Sequence, residues 1–219
     1  NKREQKMKDL AIYCAGGFGR EIYCLIFNRI KNLEWRFVGF FDDGVDKGKQ
    51  LQYGVCLGGM KELNEWNTPL DLVIANGSPK WLQHISESVT NSLVNFPNVI
   101  DPSVVYLDKD TFKIGKGNIL NRGTSLSVNV EIGNFNVFNA DVKFGHEAKI
   151  GNFNAFMPNV RISGEVEIGN SNLLGACTFV IQGVKIGTGV HLSPGSILLR
   201  NPKDNSIYIG NPAKNFKFD

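Results

Sequence analysis

The chain has 219 residues, 42% of them hydrophobic, and a net charge of +3. That is an ordinary soluble, globular balance with room for one large or two small domains. No apolar run approaches the ~20 residues that cross a bilayer, and the mild charge excludes a general nucleic-acid binder, which concentrates basic residues on one face.

The start, NKREQKMKDL, is charged and lacks the apolar core of a secretory signal. Residues 1–6 read either as a native tail or as residues ahead of a start at Met7. Cys14, Cys24, Cys56 and Cys177 form no CxxC pair, which predicts reduced, mostly buried thiols in a cytoplasmic protein. Then the segment KDLAIYCAGGFGREIYCLIFNRI reads as a strand over 10–14, a Gly-rich turn over 15–19 and a helix with Ile22, Leu25, Ile26 and Ile30 on one face. FVGFFDD (37–43) is a second strand ending in two aspartates, and LDLVIANGS (70–78) is a third. A helix follows, with Pro79 near its start, and FPNVIDPSVV reads as a last strand and crossover. This alternation predicts a small parallel α/β domain of Rossmann-like build over residues 7–100.

Ligands of such domains bind at the carboxyl ends of the strands. Gly16, Gly17 and Gly19 allow a diphosphate to approach backbone N–H groups at a helix N-terminus. The third glycine of GxGxxG is missing, with Ile22 in its place, so a nucleotide-sugar fits better than a dinucleotide. Asp42 or Asp43 could accept bonds from a ribose or a base. The residues alone leave a second reading open, in which the glycines form only a tight strand-to-helix turn.

From residue 114 a six-residue period takes over. Every sixth residue from Ile114 to Leu198 is large and apolar, and Ile114, Ile132, Ile150, Ile168 and Ile186 are each followed by glycine. A period of six nested in one of eighteen predicts a three-sided coil of short strands, each coil burying its apolar residues against the next. Small or β-branched residues at i+4 (Val130, Val142, Ala148, Val160, Val166, Thr178, Val184, Val190) form a second inward set. The glycines suit corners with unusual backbone angles. Asn118, Asn136, Asn154 and Asn172 are expected to stack as a structural amide ladder. RNPKDNS (200–206) interrupts the period.

The period resembles the hexapeptide-repeat acyltransferases. With the front domain, and on the motifs AGGFGRE, FFDD, HEAKIG and IGNPAK, the chain resembles the NeuD/PglD-type sugar acetyltransferases from about residue 7 to 218. The resemblance implies an α/β plus all-β fold: the Rossmann-like nucleotide-sugar domain, then a left-handed parallel β-helix over 101–219 that binds acetyl-CoA and catalyses. It implies a homotrimer without membrane insertion, acetyl-CoA as co-substrate, no metal, and a role in bacterial surface-glycan biosynthesis. Carried over residue by residue, Gly16, Gly17, Asp42, Asp43 and Gly77 hold the nucleotide-sugar. His146 is the general base, Glu147 raises its basicity, and Asn139 lies near the acceptor. Gly164, Ala176 and Pro194, expected on one edge two coils apart, match positions along the CoA. Lys185, Arg200, Lys203 and Lys214 are candidates for its phosphates. Two positions depart from the pattern: Phe18 and Ala155 stand where many relatives carry histidines near the acceptor and the CoA thiol.

Acetyl transfer from a thioester needs a proton acceptor, a donor for the carbonyl oxygen and two substrates held together. A histidine suits the first role, and a backbone N–H near Gly164 the second. His146 falls two residues after inward Phe144, so its ring should project outward. His191 reads as surface or CoA-proximal, and His84 as structural. A γ-type carbonic anhydrase needs three histidines on zinc, and at most two of these lie in the β-helix. A serine acetyltransferase would have a helical front domain. The remaining alternative is a non-catalytic trimeric β-helix that binds a sugar nucleotide.

Overall fold

The computed structural model describes residues 7–31 and 34–217; the expectations for residues 1–6 and for the last two residues lie outside these. The front domain is a parallel sheet of β1 (Lys8–Tyr13), β2 (Trp35–Phe41), β3 (Leu70–Ile74) and β4 (Val94–Asn95), in the order β2-β1-β3-β4. Its helices are α1 (Gly17–Cys24), continued by a π-helical turn Leu25–Ile30, then α2 (Met60–Asn64) and α3 (Pro79–Ser88). Strands β1 and β3 are central, and LAIY and LDLVI are buried along nearly their whole length, as a sheet covered on both sides demands. The chain leaves β1 toward β2 and returns to β3 on the other side, so the switch point lies between the carboxyl ends of β1 and β3.

Behind this domain runs a three-sided parallel solenoid of two-residue strands. Face 1 begins at Val99–Ile100 and continues through Ile119–Leu120, Val137–Phe138, Ala155–Phe156, Leu173–Leu174 and His191–Leu192. Face 2 holds Val105–Tyr106, Ser125–Leu126, Lys143–Phe144, Arg161–Ile162, Phe179–Val180 and Ile197–Leu198. Face 3 holds Lys113–Ile114, Glu131–Ile132, Lys149–Ile150, Glu167–Ile168 and Lys185–Ile186. Solenoid pairing therefore starts at Val99, just ahead of the expected boundary between 100 and 101. After Leu198 the chain skips face 3 and rejoins face 1 at Ile207–Ile209, which is where the period breaks.

Each second strand residue points inward. Leu120, Phe138, Phe156, Leu174 and Leu192 are fully buried in one column, and the Phe138 and Phe156 rings stack 4.8 Å apart. The asparagine ladder forms as expected. Asn136, Asn154 and Asn172 each donate to the preceding asparagine's Oδ1 at 2.9–3.0 Å and to a carbonyl of the next coil. The glycines after the isoleucines serve a different purpose from the one expected. They have ordinary φ; a Cβ on Gly133 would strike Gly151 O of the coil above, so glycine permits close stacking. Positive φ occurs two residues later, at Phe135, Phe153 and Ser171 (53° to 59°).

The two domains dock through face 1. Val99, Ile119, Phe135 and Val137 join the core of the α/β domain. Arg29 grips the buried Asp101 carboxylate with two guanidinium nitrogens, and Ser171 Oγ meets Gln83 Oε1 at 3.1 Å. Face 3 is a charge ladder, Lys113, Glu131, Lys149, Glu167, Lys185, with ion pairs of 3.1 Å at both ends. No helix among the described residues is long and apolar enough to cross a membrane.

Candidate active site

The Gly-rich turn opens at the switch point. Gly16 caps α1, and Gly17 and Phe18 are already helical, so the helix begins earlier than the sequence suggested. A Cβ on Gly16 would meet nothing, and one on Gly17 only the Arg20 guanidinium 4.0 Å away. Unobstructed backbone N–H groups at a helix N-terminus suit an anion. Gly19 differs: it is buried and pressed against Cys14 O, so its missing side chain serves packing. Phe18 lies half-buried against the α/β core.

The aspartates hold this turn in shape. Asp42 accepts from Ala15 N at 2.8 Å and Gly44 N at 2.9 Å. Asp43 accepts from Met60 N at 2.9 Å and from the Tyr13 hydroxyl. Their protein partners make them structural braces of the cleft, beyond the ligand contacts expected of them. Burial, followed by the bond to Asp43, pushes the Tyr13 hydroxyl far above its usual range. Across the switch point, Asn76 Nδ2 donates to Cys14 Sγ at 3.5 Å while its Oδ1 holds Ser78 N at 2.9 Å. Burial raises the Cys14 thiol pKa, so it stays protonated.

Gly77 faces the solenoid, where its Cβ would lie 3.8 Å from Met157 Cε. Met157 Sδ is in turn 3.8 Å from Asn139 Nδ2. Asn121, Asn139 and Met157 follow three successive face 1 strands and form one column along the edge between faces 1 and 2. Asn121 Nδ2 reaches Glu21 of α1 at 3.3 Å. The structure thus brings the α/β ligand end and Asn139 together. Glu21, Asn121 and Met157 were not singled out in the sequence, although the eighteen-residue spacing places 121, 139 and 157 in one column.

His146 stands elsewhere. It follows the face 2 strand Lys143–Phe144, so it lies on the edge between faces 2 and 3, across a whole face from Asn139. It is exposed, as its phase predicted. A Cβ on Gly164, one coil above, would lie 2.5 Å from His146 Nε2 and 2.6 Å from Cε1, so the imidazole rests on a bare glycine. Glu147 is exposed with φ 58°, and its carboxylate accepts from Asn129 Nδ2 of the coil below at 2.5 Å. Among the described residues no hydrogen bond joins Glu147 to His146, so the expected pairing is absent within one chain.

The expected CoA positions divide. Gly164 shares the His146 edge, whereas Ala176 and Pro194 follow face 1 strands and lie on the Asn139 edge; they are not on one edge. Ala155 is fully buried on face 1. Lys185 lies in the face 3 ladder, its Nζ 3.1 Å from Glu167. Arg200 and Lys214 line one cavity of about 430 Å³ with Pro212 and Tyr208, and Lys203 lines another. Arg200 is in register with His146 and Gly164 along their edge. His191 is half-buried on face 1. His84 is exposed on α3 with its ring 5.5 Å from that of Trp81.

Residues 9–89 match the family model for the PglD N-terminal domain. Over the whole molecule the fold is similar to the acetyltransferase domain of PglB from Neisseria gonorrhoeae, solved with acetyl coenzyme A: 22% identity, TM-score 0.84, 96% of this chain and 100% of that one. WeeI from Acinetobacter baumannii is 23% identical with a TM-score of 0.85, over 96% of this chain and 100% of that one. PerB from Caulobacter crescentus, solved with CoA and GDP-perosamine, is 22% identical with a TM-score of 0.81, over 95% of this chain and 97% of that one. A curated relative, serine acetyltransferase 4 of Arabidopsis thaliana, is 43% identical over 42 residues, 19% of this chain; the chain spans only 12% of that protein. Residues 9–89 thus match the PglD N-terminal domain, and the chain as a whole carries the two-part α/β and β-helix fold seen in these structures.

Proposed function

We propose that the chain is a cytoplasmic acetyltransferase that moves an acetyl group from acetyl-CoA to a nucleotide-linked sugar, for bacterial surface-glycan synthesis, and that it works as a homotrimer. The observation that carries this reading is the convergence of the open Gly16–Gly17 helix N-terminus and the Gly77 turn on the Asn139–Met157 column. A diphosphate at the helix N-terminus directs its sugar toward that edge. The Neisseria and Caulobacter proteins of the same fold bind acetyl coenzyme A, or CoA with a nucleotide sugar.

The trimer supplies what one chain lacks. Val105, Leu107, Phe179, Ile181 and Leu199 are 37–73% exposed, and all lie on face 2 or its edge with face 3. An apolar patch of this kind marks an interface. If face 2 turns toward a three-fold axis, the His146 edge of one copy meets the Asn139 edge of the next, a head-to-tail contact that closes into a ring. His146 and Gly164 of one copy then oppose Asn139, Ala176 and Pro194 of its neighbour. The groove between them leads to Arg200, three coils or ~14 Å from His146 at ~4.8 Å per coil, where Arg200 and Lys214 receive the CoA phosphates.

In that groove the acceptor nitrogen or oxygen attacks the thioester carbonyl while His146 takes its proton. A backbone N–H near Gly164 stabilises the oxyanion. The C–S bond then breaks, and the thiolate leaves with the proton from the imidazolium. With wild type and a panel of nucleotide-linked sugars, acetyl-CoA consumption should be acceptor-dependent. His146→Ala should lower kcat by about 10²–10⁴-fold. Equal rates in the two proteins would remove His146 from the mechanism.

A further inference from the structure

We infer that Glu147 pairs across the subunit junction: in the ring it enters the space between Arg122 and Arg161 of the next copy and fixes the height at which His146 meets Asn139. The inference rests on the homotrimer proposed above and names the contact that sets its register.

Glu147 is exposed on the edge between faces 2 and 3. Its carboxylate is drawn down, away from His146, because Asn129 Nδ2 of the coil below donates to Oε1 at 2.5 Å. The charge therefore lies between the coil of residues 122–129 and the coil of residues 140–147. Among the described residues no basic nitrogen lies within 4.0 Å of it. Glu165, one coil above, is also exposed and forms no ion pair there. This edge is thus acidic around His146.

The edge between faces 1 and 2 offers the opposite charge at the same height. Arg122 is exposed, and among the described residues its guanidinium has no hydrogen bond or ion pair. Arg161 starts on face 2 and reaches down to the coil below, where Nη1 donates to Asp141 O. That bond holds Arg161 at the coil of residues 139–142, with Arg122 one coil, ~4.8 Å, lower. The acids on this side are Asp141, whose carboxylate lies over Gly123, and Glu21, which takes a bond from Asn121. Among the described residues neither forms an ion pair with either arginine.

Copies related by a three-fold axis parallel to the solenoid sit at equal heights, so residues of one coil meet residues of the same coil. Glu147 leans from the coil of Asn139 toward the coil beneath. Facing it are Arg161 at the upper level and Arg122 at the lower one. Closing the ring strips water from all three groups, which is favourable only when they pair. The positions stacked above Arg122 at eighteen-residue spacing are Ala140, Pro158, Ala176 and Pro194. None is charged, so one register alone gives Glu147 this partner.

The test follows subunit exchange between two differently tagged copies of the full chain, in wild type, Glu147→Gln, Arg122→Gln and the double variant. Glutamine at 147 keeps the oxygen that Asn129 holds, and Arg122 has no side-chain partner in its own chain, so both variants should keep the wild-type circular dichroism spectrum. An exposed ion pair is worth about twofold to fivefold. Three equivalent pairs per ring make each single variant exchange about tenfold to a hundredfold faster. The double variant should exchange no faster than Glu147→Gln, because its partner is already lost. Raising salt from about 0.05 to about 0.5 M should speed exchange of wild type far more than of the variants. In acetyl transfer, kcat should fall in both single variants while the pH midpoint of kcat stays in place. Wild-type exchange rates in the variants, or fully additive effects, overturn the pair. So does a pH midpoint that moves in Glu147→Gln with exchange unchanged, which returns Glu147 to His146 of its own chain. If wild type sediments as a monomer, the trimer proposed above falls, and this inference with it.

Discussion

At the scale of single residues, the contact between His146 and Gly164 is the most sensitive one. The ring lies where a Cβ at 164 would stand, at 2.5 Å, and Gly164 has no positive φ that would bar alanine. Gly164→Ala should therefore fold normally and displace the imidazole. We expect kcat to fall at least tenfold, given that a 1 Å misplacement can cost ~10²-fold, with the melting temperature nearly unchanged. A wild-type kcat in this variant would mean that the ring position does not matter. The outward direction of His146 was legible in the sequence because phase within a six-residue period fixes which side a residue faces. The partner of Glu147 was not. Asn129 is eighteen residues away, and only the stacking of coils brings its amide to the carboxylate.

Among the elements, the asparagine ladder connects coils that otherwise meet through two-residue strands. Asn154 Nδ2 donates to Asn136 Oδ1 and Gly169 O, and its Oδ1 accepts from Asn172 N and Nδ2. Asn154→Leu fills the volume but takes their ladder partner from Gly169 O and Asn172 N, each at about 1–3 kcal/mol. A total loss of about 3 kcal/mol corresponds to a Tm lower by ~10 °C for a chain of this size, measurable by calorimetry. A melt within a degree or two of wild type would mean the ladder is dispensable. The solenoid was readable because every coil repeats one environment, so the same residue type recurs at the same place. The period shows which residues point outward, but not which face a second domain covers. The burial of Ala155 on face 1 was therefore not legible in the sequence. Edge membership was lost for a related reason: Gly164, Ala176 and Pro194 are spaced by multiples of six, and only a multiple of eighteen returns the chain to the same edge.

At the scale of the molecule, the two domains are joined by a charge as well as by apolar contact. Burial alone would raise the Asp101 carboxyl, but Arg29 and Ser103 outweigh it and hold it below the ordinary aspartate value. A depressed carboxyl stabilises above its unfolded pKa of about 3.9 and loses that contribution as pH falls through the folded value. Asp101→Asn should be less stable than wild type at neutral pH, and the difference should shrink in acid below about pH 4. A difference that stays constant down to pH 2 would exclude the ion pair as its source. The arrangement of edges leads to a stricter test. The proposed site takes His146 from one copy and the acceptor cleft from the next. His146→Ala lacks the base, and Gly16→Trp blocks the cleft at an open position of the α/β domain; each should be inactive alone. Co-expressed in equal amounts they assort randomly, and a head-to-tail ring pairs an intact His146 with an intact cleft at about a quarter of its sites. Activity should recover to about that fraction of wild type. If each site were built within one chain, every chain would carry one defect and nothing would recover. Co-purification on two different tags shows whether mixed trimers form. Mixed trimers without activity would disprove the shared site; recovered activity would place the chemistry at the junction of two copies.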